Sequence, residues 1–208
     1  MKRIIQLLIL LPAFKTTFAQ QAMIIGDCTV TYKISGGDAN TNKNLSSATK
    51  IFYVKGKMAR TDVISGNYKQ SVIYDNSKGT AVVLKEIGSE KYMTLLDGNE
   101  WEKQNNHFEG QTITLENDTK AILGYECKKA VAKLKDGTTY NMYYTPSIIP
   151  SASENPYQFK DIPGLVLEYE TSGNNKTAKI TYTAVKINFD PVPASRFKIP
   201  TSDYRILN

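Results

Sequence analysis

Short runs of alternating apolar and polar residues, separated by clusters of turn-forming residues, dominate the sequence. A period of two puts every second side chain on one face, which is typical of a half-buried β-strand. Strands spaced roughly ten residues apart predict a mainly β chain with one large antiparallel sheet, curved into a barrel or split into a sandwich. We predict strands at 27–35, 50–63 (a hairpin turning at Lys55-Gly56), 70–75, 80–87, 91–96, 112–116, 126–134, 138–144, 165–171 and 176–188.

Helical signals are few. Residues 98–108 could hold a short helix, in which Trp101 and Phe108 supply the apolar side chains. Residues 194–197 could form one further turn, and the Pro- and Ser-rich stretch 145–156 is predicted to be a loop.

The first 19 residues read as a secretory signal peptide. Lys2 and Arg3 precede an apolar run at 4–14, which is too short to cross a membrane, and small residues before Gln20 suit cleavage after Ala19. Cys28 does not stand at the cleavage site, so we do not expect a lipoprotein. We therefore predict a soluble, exported, periplasmic protein with no transmembrane span, folded as a single domain over residues 20–208.

The charge balance makes nucleic acid an unsuitable partner. The formal net charge is +6, and it falls to +3 without Lys2, Arg3 and Lys15 of the predicted leader. The remaining basic residues form no long run and are not interleaved with aromatic residues as in a nucleic-acid-binding surface.

Two cysteines, Cys28 and Cys127, suit a disulfide in an oxidising compartment. The bond would close a loop of about 100 residues and would stabilise the fold by roughly 4–5 kcal/mol on the chain-entropy model. The alternative is a pair of free thiols, each buried as a small apolar side chain.

The sequence contains few candidate catalytic or metal-binding residues. His107, the single histidine, stands in a polar, Asn-rich segment, and neither cysteine has the sequence context of a nucleophile. Glu168 and Glu170 share one face of a strand and could act as a carboxylate pair, but a solvent-facing pair fits equally. We expect no catalytic residue, no metal and no cofactor, and hence a protein that is not an enzyme.

An antiparallel sheet with few helices to cover it has an apolar face that must be filled. The side chains that would line it either pack on one another or surround an apolar ligand, and the sequence leaves both alternatives open. The candidate ligand-binding residues on that face are Phe52, Met58, Met93, Met142, Leu165 and Leu167.

Several segments together resemble the exported GLPGLI family of Gram-negative bacteria and its relatives. They are 119–130 (TKAILGYECKKA), Asp136-Gly137, 143–146 (YYTP), 162–168 (IPGLVLE), 72–75 (VIYD) and 197–200 (FKIP). Such proteins are similar to periplasmic lipoprotein carriers of the LolA/LolB type. The resemblance implies an open half-barrel of about ten strands with one or two short helices. It also implies acyl-chain binding, with Arg60 as the counterpart of an arginine near the carriers' cavity.

Pro163-Gly164 stands immediately before a predicted strand. We predict a type II turn in which Pro163 fixes φ and Gly164 takes a positive φ, so this pair has a structural role.

Two functional hypotheses follow for a chain that we expect to be monomeric. Its concave face binds a lipid or another apolar molecule, or it is an envelope module with a filled core that binds a protein partner.

Overall fold

The computed structural model describes residues 22–36, 45–172 and 179–207, so the predicted signal peptide lies outside the described part. The chain forms fourteen described strands, a helix α1 (Gly98–Gln104) and two 3₁₀ turns, η1 (Asn106–Phe108) and η2 (Ala194–Phe197). The strands are β1 (Met23–Ile25), β2 (Asp27–Gly36), β3 (Thr49–Lys55), β4 (Met58–Ser65), β5 (Tyr68–Asp75), β6 (Thr80–Ile87), β7 (Glu90–Leu96), β8 (Thr112–Ile122), β9 (Tyr125–Lys133), β10 (Thr139–Thr145), β11 (Ile148–Pro150), β12 (Leu165–Ser172), β13 (Lys179–Asn188) and β14 (Arg205–Leu207).

Twelve of these strands form one large curved sheet, in the order β14-β7-β6-β5-β4-β3-β2-β13-β12-β10-β9-β8. All neighbours are antiparallel except β14, which pairs parallel to β7. The end strands β14 and β8 do not pair with each other, so the sheet is open. The prediction of a mainly β chain with a large, curved, open antiparallel sheet and short helices is confirmed, with somewhat more strands than expected.

The sheet has two faces that differ in what covers them. On what we call the inner face, Val54, Ala59 and Tyr74 lie side by side through the registers of β3, β4 and β5, and Trp101 of helix α1 packs against Tyr74. On the outer face the neighbours one residue along are Tyr53, Arg60 and Ile73. The strict alternation along these strands is what divides the core in two.

Helix α1 begins at a capping box. The Asp97 carboxylate accepts from the Glu100 backbone N–H at 2.8 Å, and the Glu100 carboxylate accepts from the Asp97 N–H at 2.9 Å. This reciprocal pair fixes the start of the helix. It directs Trp101 onto the inner face, where its ring lies 5.8 Å from that of Tyr74 and is almost fully buried. The short helix expected within residues 98–108 is observed as α1, followed by η1, and the apolar Trp101 and Phe108 are buried.

Residues 151–164, which we call the cover loop, complete the inner face. Asn76 and Ser153 exchange two hydrogen bonds, from side-chain amide to carbonyl at 3.3 Å and from backbone N–H to side-chain oxygen at 3.2 Å. Further along, the Gln111 side-chain amide donates to the Tyr157 carbonyl at 2.6 Å. These bonds hold the loop while Ala152 and Phe159 pack into the core on the inner face, which we call the inner core.

The outer face carries a second, smaller core of Ile73, Val82, Leu84 and Met93. Phe197 and Tyr204 from the C-terminal segment (residues 189–207) pack against it, and the Tyr204 hydroxyl donates to the Glu86 carboxylate at 2.9 Å. The C-terminal segment therefore shields part of a face that would otherwise be apolar and open.

Gly164 is required, though not for the predicted reason. It is absent from the described glycines with positive φ, so the type II turn is not formed. A Cβ on Gly164 would instead lie within 3.0 Å of the backbone carbonyl of Thr145 on the neighbouring strand β10. The residue is glycine because two backbones approach closely where β12 begins.

Within residues 22–36, 45–172 and 179–207, no helix combines the length and the apolar character that crossing a membrane requires.

Candidate functional site

The most unusual feature of the inner face is a buried lysine. Lys50 stands on β3 in phase with Phe52 and Val54, so alternation turns its side chain inward, where it is 4% exposed. Its ammonium group donates hydrogen bonds to the Glu154 carboxylate of the cover loop and to the Tyr169 hydroxyl of β12. One cation thus links a central strand, a distant strand and the loop that covers both.

Three tyrosine rings surround this ammonium group. Its nitrogen lies 4.6 Å from the ring centre of Tyr169, 4.9 Å from that of Tyr182 and 5.5 Å from that of Tyr32. The rings of Tyr169 and Tyr182 are stacked at 4.8 Å, and Phe159 of the cover loop meets Tyr169 edge-on at 5.1 Å. Ring faces attract a cation and so offset part of the cost of burying it.

Electrostatics in this cluster follow from burial. Removal from water lowers the pKa of Lys50, while the Glu154 carboxylate opposes that change. Burial, with a further contribution from Glu154, raises the pKa of Tyr169 well above its usual value, so its phenol keeps its proton. The Tyr32 hydroxyl donates to the Val166 carbonyl at 2.8 Å. The cluster is therefore a connected polar network that fastens the cover loop to the sheet.

Beside this network lies a pocket of about 140 Å³. It opens between the cover loop and the strands beneath it, and most of its lining is apolar. The lining residues are Tyr32, Phe52, Ile149, Pro150, Ser153, Glu154, Phe159, Ile162, Gly164, Leu165 and Val166. Sites for small molecules usually measure about 300–1,000 Å³, so this pocket is small even for a compact ligand.

The predicted ligand-binding residues do not converge on one site. Phe52 and Leu165 line the small pocket, whereas Met142 and Leu167 are completely buried in the inner core. Met58 and Met93 belong to the outer core, on the other side of the sheet. The sequence pattern identified buried positions but could not assign them to one face.

Arg60 also belongs to the outer face. Its guanidinium group donates to the Asp62 carboxylate at 2.7 Å, to the Ser71 hydroxyl at 3.0 Å and to the backbone carbonyl of Arg196 at 2.5 Å. These contacts tie the C-terminal segment to the sheet, so the described contacts of Arg60 are structural.

The two cysteines are not bonded to each other. Both are free and fully buried, and strands β13, β12 and β10 lie between the strand of Cys28 and that of Cys127. Adjacent strands are about 4.8 Å apart, whereas the Cα atoms of a disulfide lie at most about 7 Å apart. The predicted disulfide is replaced by the alternative, two buried thiols. Burial raises the pKa of Cys28 to about 12 and that of Cys127 to about 11.

The candidate catalytic groups are separated as well. Glu168 and Glu170 share the outer face, as their spacing predicted. Glu168 binds Lys120 at 2.6 Å, and Glu170 binds Lys179 at 2.9 Å. His107 lies in η1 next to Phe108, on the element that follows α1 over the inner face. Glu168 and Glu170 each form an ion pair with a lysine, and His107 does not lie beside them.

Sequence reasoning missed Lys50 and Glu154. The signal was available for Lys50, because it is a lysine at an inward position of an alternating strand. Glu154 gave no such signal, since it stands in a loop whose path over the sheet only the three-dimensional structure reveals.

The sequence model of a family described as "N-glycanase peptide, N-terminal domain" matches residues 36–195, so the chain belongs to that family. The GLPGLI family itself is not shown by this match. No curated protein matches the chain.

Solved structures resemble the chain in fold. A structure of PNGF-II in the P21 space group has 15% sequence identity and a TM-score of 0.50, and the match covers 88% of this chain. The chain spans only 31% of the length of that protein. An uncharacterised conserved protein from Thermus thermophilus has 6% identity and a TM-score of 0.53, with 87% and 89% of the two chains covered.

An outer membrane lipoprotein-sorting protein domain from Vibrio parahaemolyticus also matches, with 9% identity over 83% of this chain and 89% of that chain. Its TM-score is 0.24, so it carries no argument about this protein. The specific likeness to lipoprotein carriers stays a prediction.

Proposed function

We propose that this protein is a non-enzymatic exported module that binds another polypeptide, rather than a carrier of acyl chains. The observation that carries the proposal is the occupied inner face. Helix α1, η1 and the cover loop fill it with the protein's own side chains and leave a pocket of about 140 Å³. An acyl-chain carrier needs an apolar cavity there, whereas an interaction module does not.

The family assignment supports the same proposal. The family is described as an N-terminal domain, and the PNGF-II chain continues well beyond the third of its length that this chain matches. In that protein the domain is therefore joined to further polypeptide. By analogy, we propose that this chain acts beside another folded unit instead of performing a reaction itself.

The surface best suited to a polypeptide is the β14 edge of the sheet. Among the described residues, β14 is an end strand, so the sheet pairs with only one side of its backbone. Leu95, Ile206 and Leu207 are 50%, 56% and 40% exposed there, beside a groove of about 650 Å³ between β7, β14 and α1. An open strand edge flanked by apolar side chains is the usual setting for adding an extended segment to a sheet.

Site-specific photo-crosslinking in cells that export the protein tests the proposal. A photoreactive amino acid at Ile206 should yield a crosslink to one defined polypeptide. The same amino acid at Leu123, which is 43% exposed in the turn at the opposite edge of the sheet, is the matched control. Crosslinking from Leu95 should capture the same polypeptide, and Ile206→Asp should abolish it. Equal crosslinking from Leu123, or no crosslinking from Ile206 and none from Leu95, would contradict the proposal.

A second candidate is a small apolar ligand in the inner pocket, because Phe52, Phe159, Ile162, Leu165 and Val166 all line it. Such a ligand would have only a few heavy atoms. Benzene added to the isotopically labelled protein should then shift the signals of these residues in an NMR titration. Filling the pocket with Val166→Phe should remove the shifts, and their absence in the unchanged protein would exclude the candidate.

A further inference from the structure

A separate niche of about 320 Å³ lies on the outer face. Strands β2, β3 and β13 form its floor, and residues 189–197, which we call the C-terminal strap, form its wall. The lining includes Thr29, Thr31, Tyr53, Lys186, Asp190 and Arg196. The niche has the volume of a small-molecule site and is on the opposite side of the sheet from the cover loop.

The walls of this niche are fixed by contacts beneath them. Val192 is almost fully buried, and its backbone N–H donates to the Asp27 carboxylate at 2.9 Å. Arg60, held by Asp62, donates to the backbone carbonyl of Arg196 at 2.5 Å. The strap therefore cannot shift at either point without breaking a hydrogen bond to a charged group, so the niche exists before any ligand arrives.

Positive charge exceeds negative charge in the niche. The exposed Arg196 lies over Tyr53, with 5.2 Å between the guanidinium carbon and the ring centre. Among the described residues, neither Arg196 nor Lys186 has a carboxylate within 4.0 Å. Asp190, the carboxylate in the lining, accepts instead from the Asn188 side-chain amide at 2.9 Å.

We propose that this niche binds an oxyanion, that is, a carboxylate or phosphate group. A guanidinium group presents parallel N–H donors that match two oxygens of such a group, and contact with the face of the Tyr53 ring does not use those donors. Lys186 supplies a second positive charge, and the half-buried Thr29 and Thr31 offer hydroxyl groups from the floor. This site is independent of the β14 edge and of the proposed protein partner.

An NMR titration of the full chain tests the site, with inorganic phosphate and acetate as probes. We expect saturable shifts of the backbone amides of Thr29, Thr31 and Lys186. Arg196→Gln should weaken binding roughly tenfold or more, because a hydrogen-bonded charge is lost. That variant keeps the backbone carbonyl that Arg60 uses, so the strap should stay in place. Lys198→Gln, on an exposed lysine just beyond the strap, is the control and should change nothing.

A second arm identifies the source of the oxyanion. Vesicles of phosphatidylglycerol and of phosphatidylcholine are compared with the free anions. Saturable binding of phosphate or acetate indicates a free small molecule, and binding only to phosphatidylglycerol vesicles that Arg196→Gln abolishes indicates a lipid headgroup. No saturable response to any probe, or a response that Arg196→Gln leaves unchanged in a variant with the normal melting temperature, would overturn the proposal.

Discussion

The Glu154 carboxylate is hydrogen-bonded to the ammonium group of Lys50 beneath the cover loop, where Lys50 is 4% and Glu154 is 12% exposed. This single ion pair joins a loop to a strand 104 positions away in the sequence. Burying two charges costs free energy that their attraction only partly returns, so apolar residues of similar volume could be as stable. The ion pair instead fixes the position of the cover loop on the inner face.

The first prediction concerns this pair. Glu154→Gln should lower the free energy of unfolding by about 3–5 kcal/mol, because it leaves a buried ammonium group without its counter-charge. Lys50→Met should also destabilise the protein. The double variant Lys50→Met/Glu154→Gln should be clearly more stable than the sum of the single losses predicts. Chemical denaturation of the four proteins measures this coupling.

Hydrogen exchange supplies the readout for the loop itself. In Glu154→Gln the amides of residues 151–164 should exchange faster, while those of β5 and β6 should keep their relative protection. In the denaturation experiment, the opposite result is a double variant whose loss in free energy of unfolding equals the sum of the losses in the two single variants. That result would show that the two charges do not interact and would contradict the structure.

The second prediction compares two glycines. Gly164→Ala should destabilise the protein strongly, since the new Cβ would lie within 3.0 Å of the Thr145 carbonyl, a backbone atom that cannot move aside. Gly98→Ala is the matched control. Its Cβ would lie 3.8 Å from the nearest atom, and alanine in the first turn of α1 should be neutral or stabilising by up to about 1 kcal/mol. Equal melting temperatures for the two variants would contradict the close approach of β12 and β10.

A third prediction follows from the free thiols. In the folded protein Cys28 and Cys127 should not react with a thiol reagent at about pH 8, because both are buried and their raised pKa values keep them protonated. After denaturation without a reductant, both should react. If no thiol appears until a reductant is added, the cysteines are bonded and the arrangement described here is wrong.

The fourth prediction concerns acid stability. The Val192 N–H, together with Lys55, lowers the pKa of Asp27 below its ordinary value of 3.8, although burial opposes the change. A depressed folded-state pKa stabilises the protein above the unfolded value, and that contribution is lost as the pH falls through the folded value. Asp27→Asn should therefore cost stability near pH 7, and the difference from the parent protein should shrink by about pH 2–3.

Urea denaturation at both pH values measures that difference. Glu126→Gln, on an exposed strand position, serves as the control and should show no comparable change. A gap between parent and Asp27→Asn that stays constant with pH would show that the carboxylate does not have the role assigned to it.

Much of the sheet could be predicted from alternation alone. The hairpin of β3 and β4 turns at Gly56, which has a φ of 54°, as the Lys55-Gly56 signal indicated. Strands β1, β11 and β14 could not be found in this way. Each has three residues, and each pairs in parallel with a partner that no tight turn connects to it. Their existence depends on tertiary packing and not on local pattern.

The candidate site was less accessible to sequence reasoning than the fold. Alternation identifies Phe52, Met93 and Met142 as buried but cannot say that Met93 faces the outer core, because the phase between distant strands depends on register. The niche at Arg196 is harder still. It forms only where the strap folds back over β2, β3 and β13, which the sequence does not indicate.

Native mass spectrometry of the protein, purified without detergent from cells that export it, tests the central claim that its own side chains fill the inner face. We predict the mass of the polypeptide alone, and no lipid in an organic extract of the same sample. A mass excess equal to a fatty acid or phospholipid, present in the folded protein and lost on denaturation, would contradict that claim. It would instead support the hypothesis that the protein carries acyl chains.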